Sequence, residues 1–347
     1  MGGTVNALLT SQEIRKLTAG DTFKGIFVVS NLLRKSDKNG KYYWEIAVSD
    51  AQGTLDAKVW GDAGWLDRSN AELETKPEPL AMESIISLKG KTLGVTGKVS
   101  DYRGQNQYSF SALSLLNQEK FPPAKYVAHS PISQDVLVAR YESLLAACAG
   151  QIGDFVRFVY SGERWKTFRD WPAAVSHHHA YANGLLEHTV SVAQLAKSMA
   201  DVYSDPDTTL DVSIVIAGAL LHDLGKLESY SMQPIPDITL DGAVHDHVAI
   251  GYARLIQLAA EFGLDAQTTT HLGHILLSHH GQKEFGSPVL PATPEAIIVS
   301  YADGLDFHLF CWKDAVKDML PGQQMSLFHY GAQRRFWNRP ETDGEEE

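Results

Sequence analysis

The sequence contains few cysteines, no long apolar run and no excess of basic residues. Its two cysteines, Cys148 and Cys311, lack the close spacing of a metal site, so we expect both to be buried, reduced thiols of a cytoplasmic protein. The longest apolar stretches, such as residues 214–221, are far shorter than the roughly 20 residues that span a bilayer. Residues 1–20 lack the basic and apolar segments of a secretory signal. We therefore expect a soluble protein with no membrane partner.

The formal net charge of −12 excludes a generic binder of polyanions, which needs surplus Lys and Arg to neutralise phosphates. The charge is uneven along the chain. Residues 20–120 contain 13 basic and 13 acidic side chains, whereas residues 121–347 contain 15 basic and 28 acidic ones. Most histidines also lie in this acidic part, which therefore suits a cation site better than a nucleic-acid groove.

The first third of the chain is predicted to form β structure. Five segments rich in β-branched and aromatic residues are separated by turn residues or by a less regular stretch; they are residues 22–33, 42–49, 54–60, 93–100 and 107–115. Five strands in about a hundred residues are typical of an OB-type barrel. An SH3-like barrel and a β-sandwich fit the pattern as well.

Two consecutive prolines at 122–123 end this region, and helical patterns follow. Apolar residues recur at three- and four-residue spacing in segments 133–149 and 184–203. Four more helices are predicted over 210–221, 247–262, 265–278 and 294–309. Residues 210–221 are nearly all apolar, as in a helix buried in the middle of a bundle. The 347 residues thus fit two domains of ordinary size, a β-barrel followed by a helical bundle.

The strongest local motif, His-Asp-Leu-Gly-Lys at 222–226, stands where the most apolar helix ends. Adjacent His and Asp side chains can point to one ion from a helix terminus, and Gly225 is a plausible helix stop there. Imidazole with carboxylate suits Mn²⁺, Mg²⁺, Fe, Ni²⁺, Co²⁺ or Zn²⁺, so the ligand types alone do not select the metal.

With two further elements, this motif resembles the H…HD…D signature of HD-superfamily metal-dependent phosphohydrolases. Residues 184–189 are Gly-Leu-Leu-Glu-His-Thr, and an aspartate, Asp303, stands in a later predicted helix. The resemblance implies that His188, His222, Asp223 and Asp303 hold a divalent cation. Positions on the cation would remain for water and a phosphate oxygen.

Three more histidines resemble the additional ligands of HD families that hold two ions. His247, His279 and His280 would complete a second site, with Asp223 bridging the ions. Two ions about 3.5–4 Å apart suit displacement at phosphorus. Lys226 would then reach a phosphate oxygen or the leaving group; the alternative is a helix-terminal lysine that offsets the helix dipole.

Other histidines receive different interpretations. The family often has His-His before the Gly-Leu-Leu-Glu-His segment, which implies that His179 lines the substrate pocket and takes part in catalysis. We interpret His271 and His274 as structural or surface residues. His245 competes with His247 as a ligand, but the Ile-Gly after 247–249 matches the family's local pattern.

A barrel that precedes an HD domain resembles the YhaM-type 3′→5′ exoribonucleases, and this resemblance covers roughly residues 20–309. The strings Tyr-Arg-Gly-Gln, Gly-Leu-Leu-Glu-His-Thr and Ser-His-His-Gly carry it. It implies an OB-fold-like nucleic-acid-binding domain over 1–120, a linker over 121–135, an all-α HD domain over 136–320, and a C-terminal surface segment with an acidic tail over 321–347. Asn183 and Asp246 depart from the family, which usually has Gly at both positions.

The reaction implied is metal-dependent removal of nucleotides from the 3′ end of single-stranded RNA, with Mn²⁺ as the favoured ion and DNA as the less favoured substrate. Aromatic residues of the barrel can stack on bases, but aromatics also fill barrel cores. For Phe27 and Tyr108 both interpretations stay open. The predicted nucleic-acid-binding residues are Arg34, Lys35, Lys38, Lys41, Tyr43, Trp44, Trp60, Tyr102 and Arg103.

Two other functions remain open at this point. The chain could be a phosphohydrolase or phosphodiesterase of nucleotides or cyclic dinucleotides, with the barrel binding a partner or regulator. It could also be a nucleic-acid-binding module in which the HD domain is only a scaffold. A homo-oligomer is a further hypothesis, because neighbouring barrels would help an acidic catalytic domain to hold a strand.

Overall fold

A computed structural model of the protein describes most of the chain, in eight segments. These segments are residues 4–70, 77–102, 105–175, 179–204, 210–232, 234–317, 319 and 322–339. The chain divides into two compact units, residues 1–129 with 233–235 and residues 130–232 with 236–347. Among the helices in these segments, none combines the length and the hydropathy needed to cross a membrane.

The described part of the first unit consists mainly of strands, with two short helices. Its elements are β1 (Thr4–Leu8), α1 (Ser11–Arg15), β2 (Thr22–Ser36), β3 (Tyr42–Asp50), β4 (Gly53–Asp67), β5 (Glu78–Pro79), α2 (Met82–Ile86), β6 (Thr92–Tyr102) and β7 (Gln105–Leu115). The five predicted strands correspond to β2, β3, β4, β6 and β7. Strands β1 and β5 and both helices were not predicted.

Five of these strands are hydrogen-bonded in a ring. Strand β2 pairs antiparallel with both β3 and β6, β3 pairs antiparallel with β4, and β6 with β7. A parallel pairing of β4 with β7 completes the ring. This Greek-key connectivity in a five-stranded barrel is that of the OB type, which confirms the predicted fold of the first unit over the SH3-like barrel and the sandwich.

The barrel core shows why one predicted contact residue was wrong. Burial alternates along β3, so that Trp44, Ile46 and Val48 face inward, as the two-residue period of a strand requires. Trp44 is only 8% exposed and belongs to the core. Phe27 is also buried there. Neither ring can stack on a base, so the assignment of Trp44 to nucleic-acid binding is corrected.

The described part of the second unit is mainly helical. Its helices are α3 (Gln134–Ala146), α4 (Gly150–Val159), α5 (Gly162–Asp170), α6 (Gly184–Tyr203), α7 (Val212–Leu221), α8 (Lys226–Ser229), α9 (Leu240–His245), α10 (His247–Phe262), α11 (Ala266–Ser278) and α12 (Pro294–Lys317), with a hairpin of β8 (Tyr230–Met232) and β9 (Pro236–Ile238). All six predicted helices are confirmed, and α12 is longer than predicted. Helices α4, α5, α8 and α9 and the hairpin were not predicted.

Helix α7 lies at the centre of this bundle. All residues from 214 to 221 are buried, and the helix contacts α6, α12, α11 and α4. The prediction of a fully buried helix is therefore confirmed. Because α7 ends in the middle of the bundle, the His-Asp motif that follows it meets side chains from several neighbouring helices.

Candidate metal centre

Seven side chains from five parts of the second unit meet around the carboxylate of Asp223. They come from α6, the α7–α8 junction, the start of α10, the end of α11 and the middle of α12. The seven are His188, His222, Asp223, His247, His279, His280 and Asp303. These are the seven residues that the sequence analysis assigned to metal binding.

Four of them form a tight group around Nε2 of His188. Nε2 of His222 lies 3.2 Å from this atom, and Oδ2 of Asp223 and Oδ1 of Asp303 each lie 3.3 Å from it. Nε2 of His222 is also 3.1 Å from Oδ2 of Asp223. Two imidazole nitrogens and two carboxylate oxygens thus converge on one small volume.

A second group lies on the other side of Asp223. Nε2 of His247 and Nε2 of His279 lie 3.6 and 3.8 Å from Oδ1 of Asp223. The ring of His280 completes the group, and ligating atoms of the three histidines lie within 4.8 Å of one another. Asp223 therefore offers one oxygen to each group, which is the arrangement of a bridging carboxylate.

Backbone carbonyl groups determine the tautomers of three histidines. Nδ1 of His222 donates to the carbonyl of Ala219, in the last turn of α7, at 2.7 Å. Nδ1 of His279 donates to the carbonyl of Leu276, in the last turn of α11, at 2.8 Å. Nδ1 of His280 donates to the carbonyl of Phe285 at 2.8 Å. Since a carbonyl oxygen only accepts, the proton of each neutral ring is on Nδ1 and the lone pair is on Nε2.

Carboxylates orient two other histidines in the same way. Nδ1 of His188 donates to Oδ2 of Asp306 at 2.8 Å, and Nδ1 of His247 lies 3.0 Å from Oδ1 of Asp246. Such carboxylate partners hold the ring and raise its basicity as a ligand. The sequence analysis assigned no site role to either aspartate. Asp306 could have been found, because it follows Asp303 by one helical turn on α12.

The backbone around α10 explains how His247 reaches Asp223. Gly225 has φ −66°, so the expectation of a glycine helix stop there was wrong. A Cβ on Gly225 would overlap the carbonyl oxygen of His247 and lie 2.6 Å from the nitrogen of Gly251. The missing side chain lets the first turn of α10 approach the α7–α8 junction. Asp246, with φ 66°, ends α9 and begins α10.

Several buried atoms at the centre fit a cation. Oδ1 of Asp223 and Nε2 of His247 and His279 are buried and have no hydrogen-bond partner among the described residues. A buried polar atom left unsatisfied costs about 1–3 kcal/mol, and these atoms have only lone pairs to offer one another. Imidazole nitrogens and carboxylate oxygens are the ligands that divalent first-row ions bind. The donor set therefore fits a divalent metal.

The protonation states of the centre agree with a site for a divalent metal. Burial lowers the pKa of His188, but three neighbouring carboxylates outweigh burial and hold this pKa well above its ordinary value. Burial raises the pKa of Asp223, but His222 and Lys226 hold it well below its ordinary value. Burial lowers the pKa of His279 far enough to keep the ring neutral at pH 7. The carboxylates of Asp223 and Asp303 therefore stay ionised and the ring of His279 stays neutral, which are the forms in which these groups bind a metal ion.

Lys226 and His179, the two other predicted catalytic residues, occupy different positions. Lys226 is buried, and its Nζ lies 2.7 Å from Oδ2 of Asp223. Lys226 begins the four-residue helix α8, five positions after α7 ends. His179 is buried behind Asp306, with Nδ1 2.7 Å from the hydroxyl of Tyr181 and Nε2 3.2 Å from Oδ2 of Asp306. His179 therefore supports the partner of His188 instead of lining an open pocket.

The histidines interpreted as structural have partners away from the centre. Nε2 of His271 lies 3.0 Å from a carboxylate oxygen of Glu295. Nε2 of His274 accepts from the backbone N–H of Ala292 at 2.9 Å. His245 is exposed, which agrees with the choice of His247. His177 and His178 lie outside the described residues.

In the first unit, several predicted nucleic-acid-binding residues lie on the barrel surface. The rings of Tyr43 and Trp60 are 5.2 Å apart, and Nζ of Lys58 lies 5.8 Å from each. Trp60 and Tyr102 are 43% and 57% exposed. A cavity of about 390 Å³ on this surface is lined by Lys58, Tyr102 and Tyr108, among others. The concave face therefore combines two tyrosines and Lys58 with the acidic Glu45 and Asp56.

The remaining candidates differ in their surroundings. The guanidinium of Arg34 lies 4.0 Å from the ring centre of Tyr42, and Lys35 forms an ion pair with Glu45 at 2.6 Å. Two further candidates, Lys38 and Lys41, are in or beside the turn between β2 and β3. Arg103 lies outside the described residues.

Comparisons with known proteins cover both units. The HD domain family model matches residues 185–307. The 3′-5′ exoribonuclease YhaM of Bacillus subtilis (strain 168) is 30% identical over 298 residues, which are 84% of this chain and 88% of that protein. This chain belongs to the YhaM family. The family resemblance predicted from the sequence is thereby confirmed.

Other members of the YhaM family match the chain over a similar length. The 3′-5′ exoribonuclease YhaM of Bacillus velezensis is 29% identical over 309 residues, 88% of this chain and 90% of the relative. That of Listeria innocua is 27% identical over 320 residues, 92% of this chain and 96% of the relative. The similarity to the YhaM family therefore extends well beyond the residues matched by the HD domain model.

Proposed function

We propose that this protein is a metal-dependent 3′→5′ exonuclease that hydrolyses phosphodiester bonds of single-stranded RNA, with DNA as the less favoured substrate. The observation that carries the proposal is the cluster of five histidines and two aspartates centred on Asp223, in a chain whose family members are named 3′-5′ exoribonucleases. The proposal assigns catalysis to residues 136–320 and strand binding to residues 1–120, joined by a linker over 121–135. Residues 321–347 are proposed to be a C-terminal surface segment with an acidic tail.

The proposed metal centre holds two ions. In the first site the ligands are His188, His222, Asp223 and Asp303, and in the second they are His247, His279, His280 and Asp223. Mn²⁺ is the ion that we favour, and the other divalent ions named above suit the same ligand types. Two divalent ions in such a site supply Lewis acidity at the phosphoryl group and a water of lowered pKa.

The chain's own residues position and complement this chemistry. Asp306 and Asp246 hold the rings of His188 and His247 through Nδ1, so that each Nε2 points to its site. Lys226 is proposed to donate from Nζ to a phosphate oxygen of the substrate, because Nζ lies 2.7 Å from the carboxylate that the ions would share. A buried ammonium group there would stabilise charge that develops on the phosphoryl oxygens.

The barrel is proposed to bind the strand without base preference. Tyr43, Trp60 and Tyr102 would stack on bases, which contributes about 1–3 kcal/mol per base. Basic groups would contact phosphates; these are Arg34, Lys35, Lys38, Lys41 and Arg103. The homo-oligomer and the cytoplasmic location expected from the sequence remain predictions, and sedimentation equilibrium would measure the first.

Degradation of an end-labelled strand tests the proposal. Single-stranded RNA labelled at its 5′ end should be shortened stepwise in Mn²⁺, which gives a ladder on a denaturing gel. The Asp223→Asn variant should give no ladder yet still bind the RNA. A matched control, Asp154→Asn, removes an exposed carboxylate on α4 and should degrade RNA like the wild type. Hydrolysis of nucleotides or cyclic dinucleotides alone would overturn the proposal and support the phosphodiesterase alternative.

A further inference from the structure

Residues 322–339 form a small hairpin at the C-terminal end of the described chain, which we call the C-terminal hairpin. Met325 bridges to Trp337, and His329 bridges to Arg334, both in antiparallel fashion. Backbone hydrogen bonds run between the two arms, as from N–H of His329 to the carbonyl of Arg334 at 2.8 Å. The segment is therefore an ordered element and not an extension of α12.

The charge of this hairpin is opposite to that of the unit that carries it. Residues 322–339 contain three arginines and no Asp or Glu, whereas residues 130–317 contain 11 basic and 22 acidic side chains. The guanidinium groups are those of Arg334, Arg335 and Arg339, all exposed. None of them is paired with a carboxylate among the described residues. Five acidic residues follow within 341–347, outside the described chain. Three exposed arginines in a short segment of an acidic unit favour an anionic partner.

The hairpin also exposes large aromatic rings. Phe328, Tyr330 and Trp337 are 42%, 79% and 56% exposed, while Ser326 and Ala332 of the same hairpin are buried. Phe328 and Tyr330 are two residues apart on one arm, and their ring centres are 5.2 Å apart. A folded segment that turns three rings outward, beside arginines, has the composition of a stacking surface for bases combined with phosphate contacts.

The attachment of the hairpin connects it to the metal centre. The indole N–H of Trp312 on α12 donates to the carbonyl of Trp337 at 3.1 Å, and Nε2 of His329 lies 4.0 Å from a carboxylate oxygen of Asp314. The same helix carries Asp303, nine residues before Trp312. At 1.5 Å per residue, the separation along the helix is about 14 Å, roughly the length of four stacked nucleotides.

We propose that the C-terminal hairpin is a second surface for single-stranded nucleic acid, located on the catalytic unit. It would hold the substrate on the 5′ side of the scissile bond. Bases would stack on Phe328, Tyr330 and Trp337, and phosphates would contact Arg335 and Arg339. The proposal rests on the proposed function for the class of substrate. It accounts for strand binding by a unit whose overall charge repels phosphates.

Binding to a labelled single-stranded RNA tests the hairpin directly. The full chain with Asp223→Asn prevents turnover, and fluorescence anisotropy then measures the dissociation constant. Adding Tyr330→Ser should weaken binding by about 5- to 150-fold, as expected for the loss of one base stack. Adding Arg335→Gln should reduce the slope of log K against log salt by about 0.7, as expected for one lost phosphate contact. Tyr203→Ser, which removes an exposed ring on α6, is the matched control and should bind like the parent.

Two further measurements separate the outcomes. Hairpin variants with an intact Asp223 should hydrolyse bis(p-nitrophenyl) phosphate at the wild-type rate, because this small ester reports on the metal centre alone. If Tyr330→Ser binds RNA as tightly as the parent while the wild type still degrades RNA, the hairpin proposal is wrong and the proposed function stands. If sedimentation shows that the variants dissociate a wild-type oligomer, the hairpin is a contact between copies and the proposal is overturned. Failure of the wild type to bind or degrade RNA would reject the proposed function itself.

Discussion

The close approach at Gly225 leads to a sharp prediction about the second metal site. In Gly225→Ala the new methyl group would overlap the carbonyl oxygen of His247 and lie 2.6 Å from the nitrogen of Gly251. Backbone atoms cannot rotate away, so the first turn of α10 must withdraw. Because φ of Gly225 is −66°, alanine can adopt this backbone conformation. The effect of the substitution should therefore come from steric overlap alone.

The contact distances give the size of the expected losses in metal affinity, turnover and stability. Van der Waals contact requires about 3.5 Å, so α10 must move by at least about 1 Å, and His247 moves with it. Metal–ligand distances tolerate about 0.2 Å, so the second site should lose most of its affinity. A misplacement of about 1 Å can lower turnover by about 100-fold. Crowding should lower the free energy of unfolding by about 1–3 kcal/mol. This loss is reduced by roughly 0.4–1 kcal/mol, because alanine at a φ that it can adopt lowers the entropy of the unfolded chain.

Urea unfolding, metal analysis and RNA degradation would measure the three effects on the same preparation. Gly304→Ala is the matched control, because Gly304 lies on α12 beside Asp303 and no atom would come within 4 Å of its Cβ. We expect this control to gain about 0.5–1 kcal/mol in stability and to keep its metal content. If Gly225→Ala unfolds at the wild-type urea concentration with wild-type metal content, Gly225 does not position His247.

Three further predictions concern other parts of the molecule. Asp246→Gly permits the positive φ but removes the carboxylate beside His247, so it should weaken metal affinity at the second site by about 10- to 100-fold. In Asp246→Asn the side-chain oxygen can still accept from Nδ1 of His247, so this variant should lose less metal affinity. Equal metal affinities of the two variants in calorimetry would contradict this role of Asp246. Burial raises the pKa of the Cys148 and Cys311 thiols to about 11. Iodoacetamide should therefore label the native protein slowly at pH 8, faster as the pH rises toward 11, and fast in urea. Fast labelling of the native protein at pH 8, measured by mass spectrometry, would refute the burial of these thiols. Chelation by EDTA should lower the unfolding temperature, and Mn²⁺ should restore it, because the ions bind the folded state. An unchanged unfolding temperature in calorimetry would contradict the proposed metal centre.

Much of the fold could be predicted because periodicity in the sequence is local. The strands of the barrel carry alternating apolar residues, and α7 is apolar throughout. Helix α5 (Gly162–Asp170) was missed because only Phe168 in it is buried, so its packing leaves little apolar pattern. Helices α8 and α9 are too short to show a period. Trp44 was assigned wrongly because three aromatics at 42–44 do not reveal which face of the strand is inside; the neighbouring strands decide it.

The candidate site was predictable to the extent that its motifs are local. The His-Asp pair after α7 and the histidine pair after α11 could be identified from short strings. The spacing of Asp306 from Asp303 is a local signal, but the role of Tyr181 depends on how the segment before α6 packs, which no local pattern contains. Asp246 looked like a departure from the family, and only its distance to Nδ1 of His247 suggests a role. The hairpin at 322–339 has no helical or strand periodicity, so its ordered arms were not predicted.

The number of ions per chain tests the central claim most directly. Protein loaded with Mn²⁺ and passed through a desalting column can be analysed by inductively coupled plasma mass spectrometry. We predict two ions per chain for the wild type, about one for His280→Ala, and almost none for Asp223→Asn, because both sites share this carboxylate. A single ion in the wild type, or two ions retained by Asp223→Asn, would contradict a two-metal centre bridged by Asp223.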